Sequence, residues 1–271
     1  MSGHVSPAEL ADAATRVRLQ DLTMVTDAGM GHIGGEFSVT DILVTLYLGV
    51  CDVGAETAQD RVVLSKGHAA AALYATLAEA GLLARDELST FAQAGSALNG
   101  HPARTKLDAV EASTGPLGHG LPIGVGMAIA AALDGSEGRT YVVAGDGEMQ
   151  EGSNWEALMI AAHRRLDRLT LIIDRNGLQQ GAAVAETSDL EPLADKLRAF
   201  GWAVREVDGH DHAALQEALS SVPWEAGRPS AVIARTHKGH PVSFMSDDAR
   251  WHHRVPTSDE ARLAREEIAA G

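Results

Sequence analysis

The sequence predicts an α/β fold with a mostly parallel central sheet and helices on both faces, and three observations carry that expectation. The stretch from Tyr141 to Gln179 opens on a short apolar run that stops at Gly145-Asp146-Gly147. It closes on a second run, Leu169 to Ile173, that stops at Asp174-Arg175-Asn176-Gly177, with a helix pattern between. Two such runs separated by a helix make a βαβ unit whose strands are parallel neighbours. Further short runs at 61–65, 202–207 and 230–235 alternate with helix-spaced segments. Finally, 28 glycines, abundant alanine and only 4% aromatic residues suit helices packed closely on a sheet better than a β-sandwich.

In chain order, Ser6-Pro7-Ala8-Glu9 is a capping box with proline at the first helical position, and Leu10, Ala14, Val17, Met24, Val25 and Ala28 keep helical spacing. A first helix is expected to about Ala28. The loop Gly29 to Gly35 is too glycine-rich to be regular, and Ser38 and Asp41 are expected to start a second helix through Tyr47. Arg61 to Ser65 reads as a strand, Gly67-His68 as a turn, and Ala69 to Ala80 as a helix ended by Gly81. Between Gly95 and Gly120 periodicity fades, and a long irregular stretch between ordered elements reads as a binding loop. The helix expected from about Gly120 to Leu133 is apolar or small on every side, so something besides its own sheet should cover its outer face. After β-type residues at 169–173 come a helix near Leu190 to Phe200, a strand at Trp202 to Val207, a helix at His212 to Leu219 and a strand at Ser230 to Arg235. An irregular, histidine-rich segment, Thr236 to Pro256, precedes a closing helix capped by Thr257 and Glu260. No repeat, charge block or Pro/Ser-rich linker divides the chain, so residues 1–271 are expected to form one domain.

The formal charge of −15 argues against a nucleic-acid or anionic-membrane partner, since a phosphate footprint needs clustered Lys and Arg. Cys51 is the single cysteine, which excludes an internal disulfide and a cysteine metal site and suits a reducing cytoplasm. The N-terminal MSGHVSPAEL has neither a basic n-region nor an apolar h-region, and no eighteen-residue run is uninterruptedly apolar.

The chemistry concentrates at the strand ends. In a parallel sheet ligands sit beyond the carboxyl ends of the strands, so Asp146 and Asn176 should face one crevice. Alone, the Asp reads as a helix cap and the Asn as a turn residue. Together they offer a charged and a neutral oxygen to a hard cation such as magnesium, with the backbone carbonyl of Leu178 as a third ligand. Gly145 and Gly147 let main chain approach a phosphate, and the following helix offers free amides. A metal-bridged diphosphate fits these parts.

Seven of the twelve histidines follow a glycine: the N-terminal His4, and His32, His68, His101, His119, His210 and His240 within the expected fold. Random placement among these residues gives about one. A glycine turn presents the next side chain to a ligand, and imidazole donates, accepts and shuttles protons near neutral pH. His210 and His240 read as polar surface residues. A histidine zinc site is disfavoured, because no pair lies at i, i+4 on an expected helix and no HExxH motif occurs.

At this point the chain resembles the thiamine diphosphate enzymes, whose signature is GDG followed some thirty residues later by Asn. GDGEMQEGSNWEA is similar to the transketolase version, although many members end on two asparagines where this chain has only Asn176. Gly31-His32-Ile33-Gly34-Gly35 resembles that family's first GHxGG-type loop, Ser65-Lys66-Gly67-His68 its diphosphate-contacting segment, and Gly100-His101-Pro102 its substrate-contacting one. Thr114 to Gly120 resembles the loop reaching the cofactor rings through backbone around Gly115 and Leu117. The resemblance covers about Ala8 to Pro256, and it departs at His119, often Gln, and Ile33, often Pro. It implies a thiamine diphosphate-binding fold. His32, His101 and His252 would then contact substrate hydroxyls or move protons, His68 and His252 would contact diphosphate, and Glu151 would join an acidic cluster linking paired cofactors. Asp146, Asn176 and Leu178 would hold Mg2+, with Ca2+ or Mn2+ as substitutes.

In that family the activating glutamate lies on a pyrimidine-binding domain, for which this chain is too short. The resemblance therefore implies the N-terminal subunit of a split transketolase. It would move a two-carbon ketol unit between sugar phosphates only with a separately encoded C-terminal subunit, in an α2β2 assembly. A component of another thiamine diphosphate enzyme and a non-catalytic cofactor-binding subunit remain open.

Overall fold

The computed structural model describes residues 5–54 and 60–270. Residues 1–4, the start of the stretch that lacks leader character, lie outside them. Helix α1 (Pro7–Ala28) carries the expected capping box, with Ser6 Oγ accepting from Glu9 N and the Glu9 carboxylate accepting from Ser6 N, and ends at Gly29 in the left-handed region, φ 66°.

Helix α2 (Ile33–Val44) begins earlier than expected. Gly34 and Gly35 belong to its first turn, where a Cβ on Gly34 would lie 2.8 Å from the Trp251 carbonyl oxygen. The glycines serve close packing rather than an irregular loop, which composition alone does not distinguish. The helix widens into a π turn over Thr45–Val50. Ile33–Val50 is long and apolar enough to cross a membrane, with a mean hydropathy of 1.3, but 83% of it is buried inside the fold.

Strand β1 (Arg61–Leu64) and helix α3 (Ala70–Glu79) follow as expected, and no helix or strand is described from 91 to 119. Then come α4 (Gly120–Leu133), β2 (Thr140–Gly145), α5 (Gly152–His163), β3 (Leu169–Arg175), α6 (Val184–Ser188), α7 (Leu193–Ala199), β4 (Ala203–Asp208), α8 (His212–Ser220), β5 (Ser230–Arg235) and α9 (Ser258–Ala270). The short α6 has no periodic signal in the sequence, and α7 starts after Pro192 rather than at Leu190.

Among the described residues five strands form one sheet in the order β1-β2-β3-β5-β4, every pair parallel. Alternate strand residues face opposite layers. Val62, Leu64, Tyr141, Val143, Ile172 and Val232 join the core built with α1, α2, α3 and α8. Val63, Val142, Ala144, Leu171, Ile173 and Ile233 join the core built with α4, α5 and α7. Burial on both faces is why these strands read as continuous apolar runs rather than alternating ones.

Helix α4 lies close on the sheet, since a Cβ on Gly124 would meet Val142 Cγ2 at 2.4 Å. Its other side, Ile123, Gly126, Ala130 and Leu133, is exposed, Leu133 by 82%, next to exposed Met159 and Ile160 of α5. Nothing among the described residues covers this stripe.

Candidate cofactor-binding site

The register pairs Gly145 of β2 with Asp174 of β3, so both strands end at one level. Asp146 therefore reaches across the gap. Its carboxylate accepts from Gly147 N at 2.8 Å and from Gly177 N at 2.7 Å, tying the two strand tips together. Asn176 sits beside it, its Oδ1 accepting from Leu178 N at 3.0 Å and its Nδ2 donating to Ser38 Oγ at 3.2 Å. Asp146, Asn176, Leu178, Gly145, Gly147, Gly115, Leu117, His32, His68 and His252 all line one cavity of about 440 Å³. Residues from six separate segments thus come together where the strand ends were expected to meet.

Two predicted site residues lie elsewhere. His101 is exposed at the rim, its ring 6.4 Å from that of His32. Glu151 is exposed at the start of α5, outside the cavity lining and packed behind Gly118, whose added Cβ would meet Glu151 Cβ at 2.5 Å.

The histidine wall is held by local geometry. A Cβ on Gly31 would sit 2.5 Å from Val25 Cγ2, so glycine lets the chain turn tightly off α1 and deliver His32 to the start of α2. The His32 ring lies 5.1 Å from His68, 5.5 Å from His252 and 4.7 Å from His253. Burial, then the neighbouring His253 and His101, pushes His32 down to about 4. Burial and Lys238 push His252 down to about 3, and burial with Lys66 holds His68 well below the ordinary histidine range. At neutral pH these three rings are uncharged, so each offers one donor and one acceptor, the complement of a hydroxyl group.

Beneath the wall lies a buried charge cluster that the sequence motifs do not reveal. Lys66 donates to Asp174 at 2.6 Å and to the Gly35 carbonyl at 2.9 Å. Burial would raise Asp174, yet Lys66 and hydrogen bonds from Thr236 and Ser38 hold it below the usual carboxylate range. Lys238, 3.1 Å from His252 Nδ1, is pushed down to about 8 by burial and then by Lys66. Glu148 is also buried, and its carboxylate accepts from Ser65 Oγ, Gly118 N and Gly145 N, joining three loops around the cavity. His119 donates from Nδ1 to the Leu117 carbonyl at 2.9 Å and so fixes the loop expected to meet the cofactor rings. The sequence carries a signal for Lys66 in the Ser65-Lys66-Gly67-His68 motif and for Glu148 within GDGEMQEGSNWEA; Lys238 and His253 have none beyond adjacency to a histidine motif.

The surface reading of His210 and His240 is corrected. The His210 side chain is 11% exposed; its Nδ1 donates to Asp41 at 2.6 Å and its Nε2 accepts from His237 N at 2.9 Å. His240 stacks on it with ring centroids 3.8 Å apart. Asp41, His210 and His240 bring ligand atoms within 4.8 Å of one another. Arg18 however holds both Asp41 oxygens, at 3.0 and 2.5 Å, and His210 uses both ring nitrogens, so the cluster is closed by its own hydrogen bonds.

Residues 10–270 match the family described as "Transketolase, thiamine diphosphate binding domain". The chain is 40% identical over 269 residues to one subunit of the apulose-4-phosphate transketolase of Phocaeicola vulgatus, covering 98% of this chain and 95% of that one. It is 35% identical to the 6-deoxy-6-sulfo-D-fructose transketolase subunit SqwG of a Clostridium species, covering 96% of each. The crystal structure of transketolase from Campylobacter jejuni superposes with a TM-score of 0.87 at 29% identity, over 96% of this chain and 42% of that one. The chain thus spans nearly all of these single-subunit relatives and about two-fifths of the Campylobacter transketolase chain. It belongs to the transketolase family, with the thiamine diphosphate-binding domain of that family extending over nearly its whole length.

Proposed function

We propose that this chain, folded as one domain, is the cofactor-binding subunit of a two-component transketolase that moves a two-carbon ketol unit from a ketose phosphate to an aldose phosphate. The observation that carries the reading is Asp146 joining two strand tips beneath a wall of uncharged imidazoles. The fit to a metal diphosphate rests on charge. Burial, and then Asp174, pushes Asp146 up to about 6, while Lys238 is pushed down to about 8. A buried acid short of a cation and a buried lysine short of an anion face one cavity, and a divalent ion with a diphosphate relieves both.

Asp146, Asn176 and the Leu178 carbonyl are the proposed ligands of Mg2+, or of Ca2+ or Mn2+ in its place. Gly145 and Gly147 present amides without side chains, and His68, His252 and Lys238 are placed to receive diphosphate oxygens. When bound, thiamine diphosphate supplies the carbon nucleophile and electron sink that two-carbon transfer needs. Gly115 and Leu117 supply backbone contacts to its rings. His32, His101 and His252 orient substrate hydroxyls and hold or release protons there. Glu151, outside the cavity, is placed to meet a second copy.

Both relatives are named as single subunits of a transketolase, which supports a partner chain. We assign that partner the pyrimidine-binding domain with its activating glutamate, in an α2β2 assembly, and place the complex in the cytoplasm. Both are also named for ketoses bearing a phosphate or sulfo group, which supports an anionic ketose here. The test is ketol transfer from ketose phosphates and sulfonates with and without a purified C-terminal subunit. The expected result is no transfer by the chain alone and transfer by the pair. Transfer by the chain alone would contradict the reading, as would a pair active only on 2-oxo acids.

A further inference from the structure

Two acids that the proposed chemistry does not use lie wholly inside the protein, between α1 and α2. Asp21 is 0% and Glu36 1% exposed. Neither oxygen of Asp21, and not Oε1 of Glu36, meets a hydrogen-bond partner among the described residues. The stretches of α1 and α2 that carry the two acids are bonded to each other. Arg18, one turn before Asp21, donates to the carbonyl of Phe37, the residue after Glu36, at 3.0 Å. Glu36 Oε2 in turn accepts from His32 N at 3.0 Å, at the turn that delivers His32 into the cavity.

Two ionised carboxylates, three of whose four oxygens lack a donor, would repel each other in a medium that solvates neither. We propose that Asp21 and Glu36 share a retained proton, and that the protonated pair makes Glu36 the positioning residue for His32. The proton supplies the missing donor between otherwise unpartnered oxygens, and the second Glu36 oxygen stays free to hold the His32 amide. A pair that ionised fully would push α1 and α2 apart and release that amide.

The surrounding charges agree in direction. Burial, and then Glu36, raises Asp21 well above the usual carboxylate range, against the pull of Arg18. Burial pushes Glu36 up to about 8, against the amides of His32 and Ala71 and the charge of Lys66. A group raised in the folded state favours folding below its unfolded value, near 4.5 for Glu36, and that contribution is lost as pH rises toward about 8.

The experiment uses the purified chain without cofactor or partner, so its outcome is separate from that of the proposed reaction. Infrared spectra of the wild type near neutral pH should show the carbonyl stretch of a buried protonated carboxylic acid, shifted in Glu36→Gln, where Asp21 alone keeps the proton. Glu36→Gln, which mimics the protonated acid, should gain on the wild type as pH rises from 5 to 8.5, by about 5 °C or more in Tm. It should also keep the His32 ring resonances of the wild type near neutral pH, whereas Glu36→Ala should move them. The proposal is overturned by wild-type spectra with no protonated-acid band. It is equally overturned by parallel pH–Tm curves for wild type and Glu36→Gln, or by His32 resonances unmoved in Glu36→Ala.

Discussion

At the scale of single residues, the sequence is legible where one residue type has few alternatives. Asp146 and Asn176 can be named because an Asp between glycines and an Asn at a neighbouring strand end share a crevice in any parallel sheet. Lys238 cannot, because its role arises from burial beside Lys66, and the role of Glu148, though it lies inside a motif, arises from loops meeting in space. His210 shows the reverse error. A histidine after glycine in a loop looks exposed, but the ends of β4 and β5 carry it onto Asp41 of α2. Its ring supplies one of the bonds on a fully buried carboxylate that burial would raise and Arg18 holds well below the usual range. His210→Ala is therefore expected to cost about 1–3 kcal/mol of stability. Urea unfolding of wild type and variant measures it, and thiamine diphosphate affinity of the assembled enzyme should stay unchanged.

Among elements, strands and capped helices are legible because they follow from period and capping chemistry. Boundaries shift where glycine has a packing purpose. Gly34 and Gly35 look like a loop in one dimension and form a helix turn pressed on Trp251 in three. The composition of helix α4 calls for cover on both sides, and only the sheet side is covered among the described residues. A stripe of exposed apolar residues beside Met159 and Ile160 marks an interaction surface. We assign it to a subunit interface. Leu133→Glu should then weaken assembly with the partner by at least about tenfold while leaving the chain's own Tm within a few degrees. Sedimentation of mixed subunits would show it, and unchanged assembly would remove α4 from the interface.

For the molecule as a whole, a parallel sheet covered on both faces is legible in the continuous apolar runs, whereas the full strand order and the charge balance inside the cavity emerge only in the folded chain. Uncharged imidazoles imply a distinct response to acid. His32 and His240 are held to about 4 and His252 to about 3, first by burial. Between their unfolded value of 6.5 and those folded values the unfolded chain binds protons that the folded chain does not. Their contribution to stability is thus complete above pH 6.5 and is lost as pH falls toward 4. The wild type should lose Tm relative to His240→Asn over that window, and the His32 and His252 ring resonances should not titrate above pH 5.5. The central claim is that Asp146 holds a divalent ion that binds the cofactor's diphosphate. Calorimetric titration of the two-subunit enzyme with thiamine diphosphate, with Mg2+ and with chelator, tests it most directly. Wild type should bind only with Mg2+, and Asp146→Ala should bind at least about 100-fold more weakly; equal affinity in the variant would contradict the account.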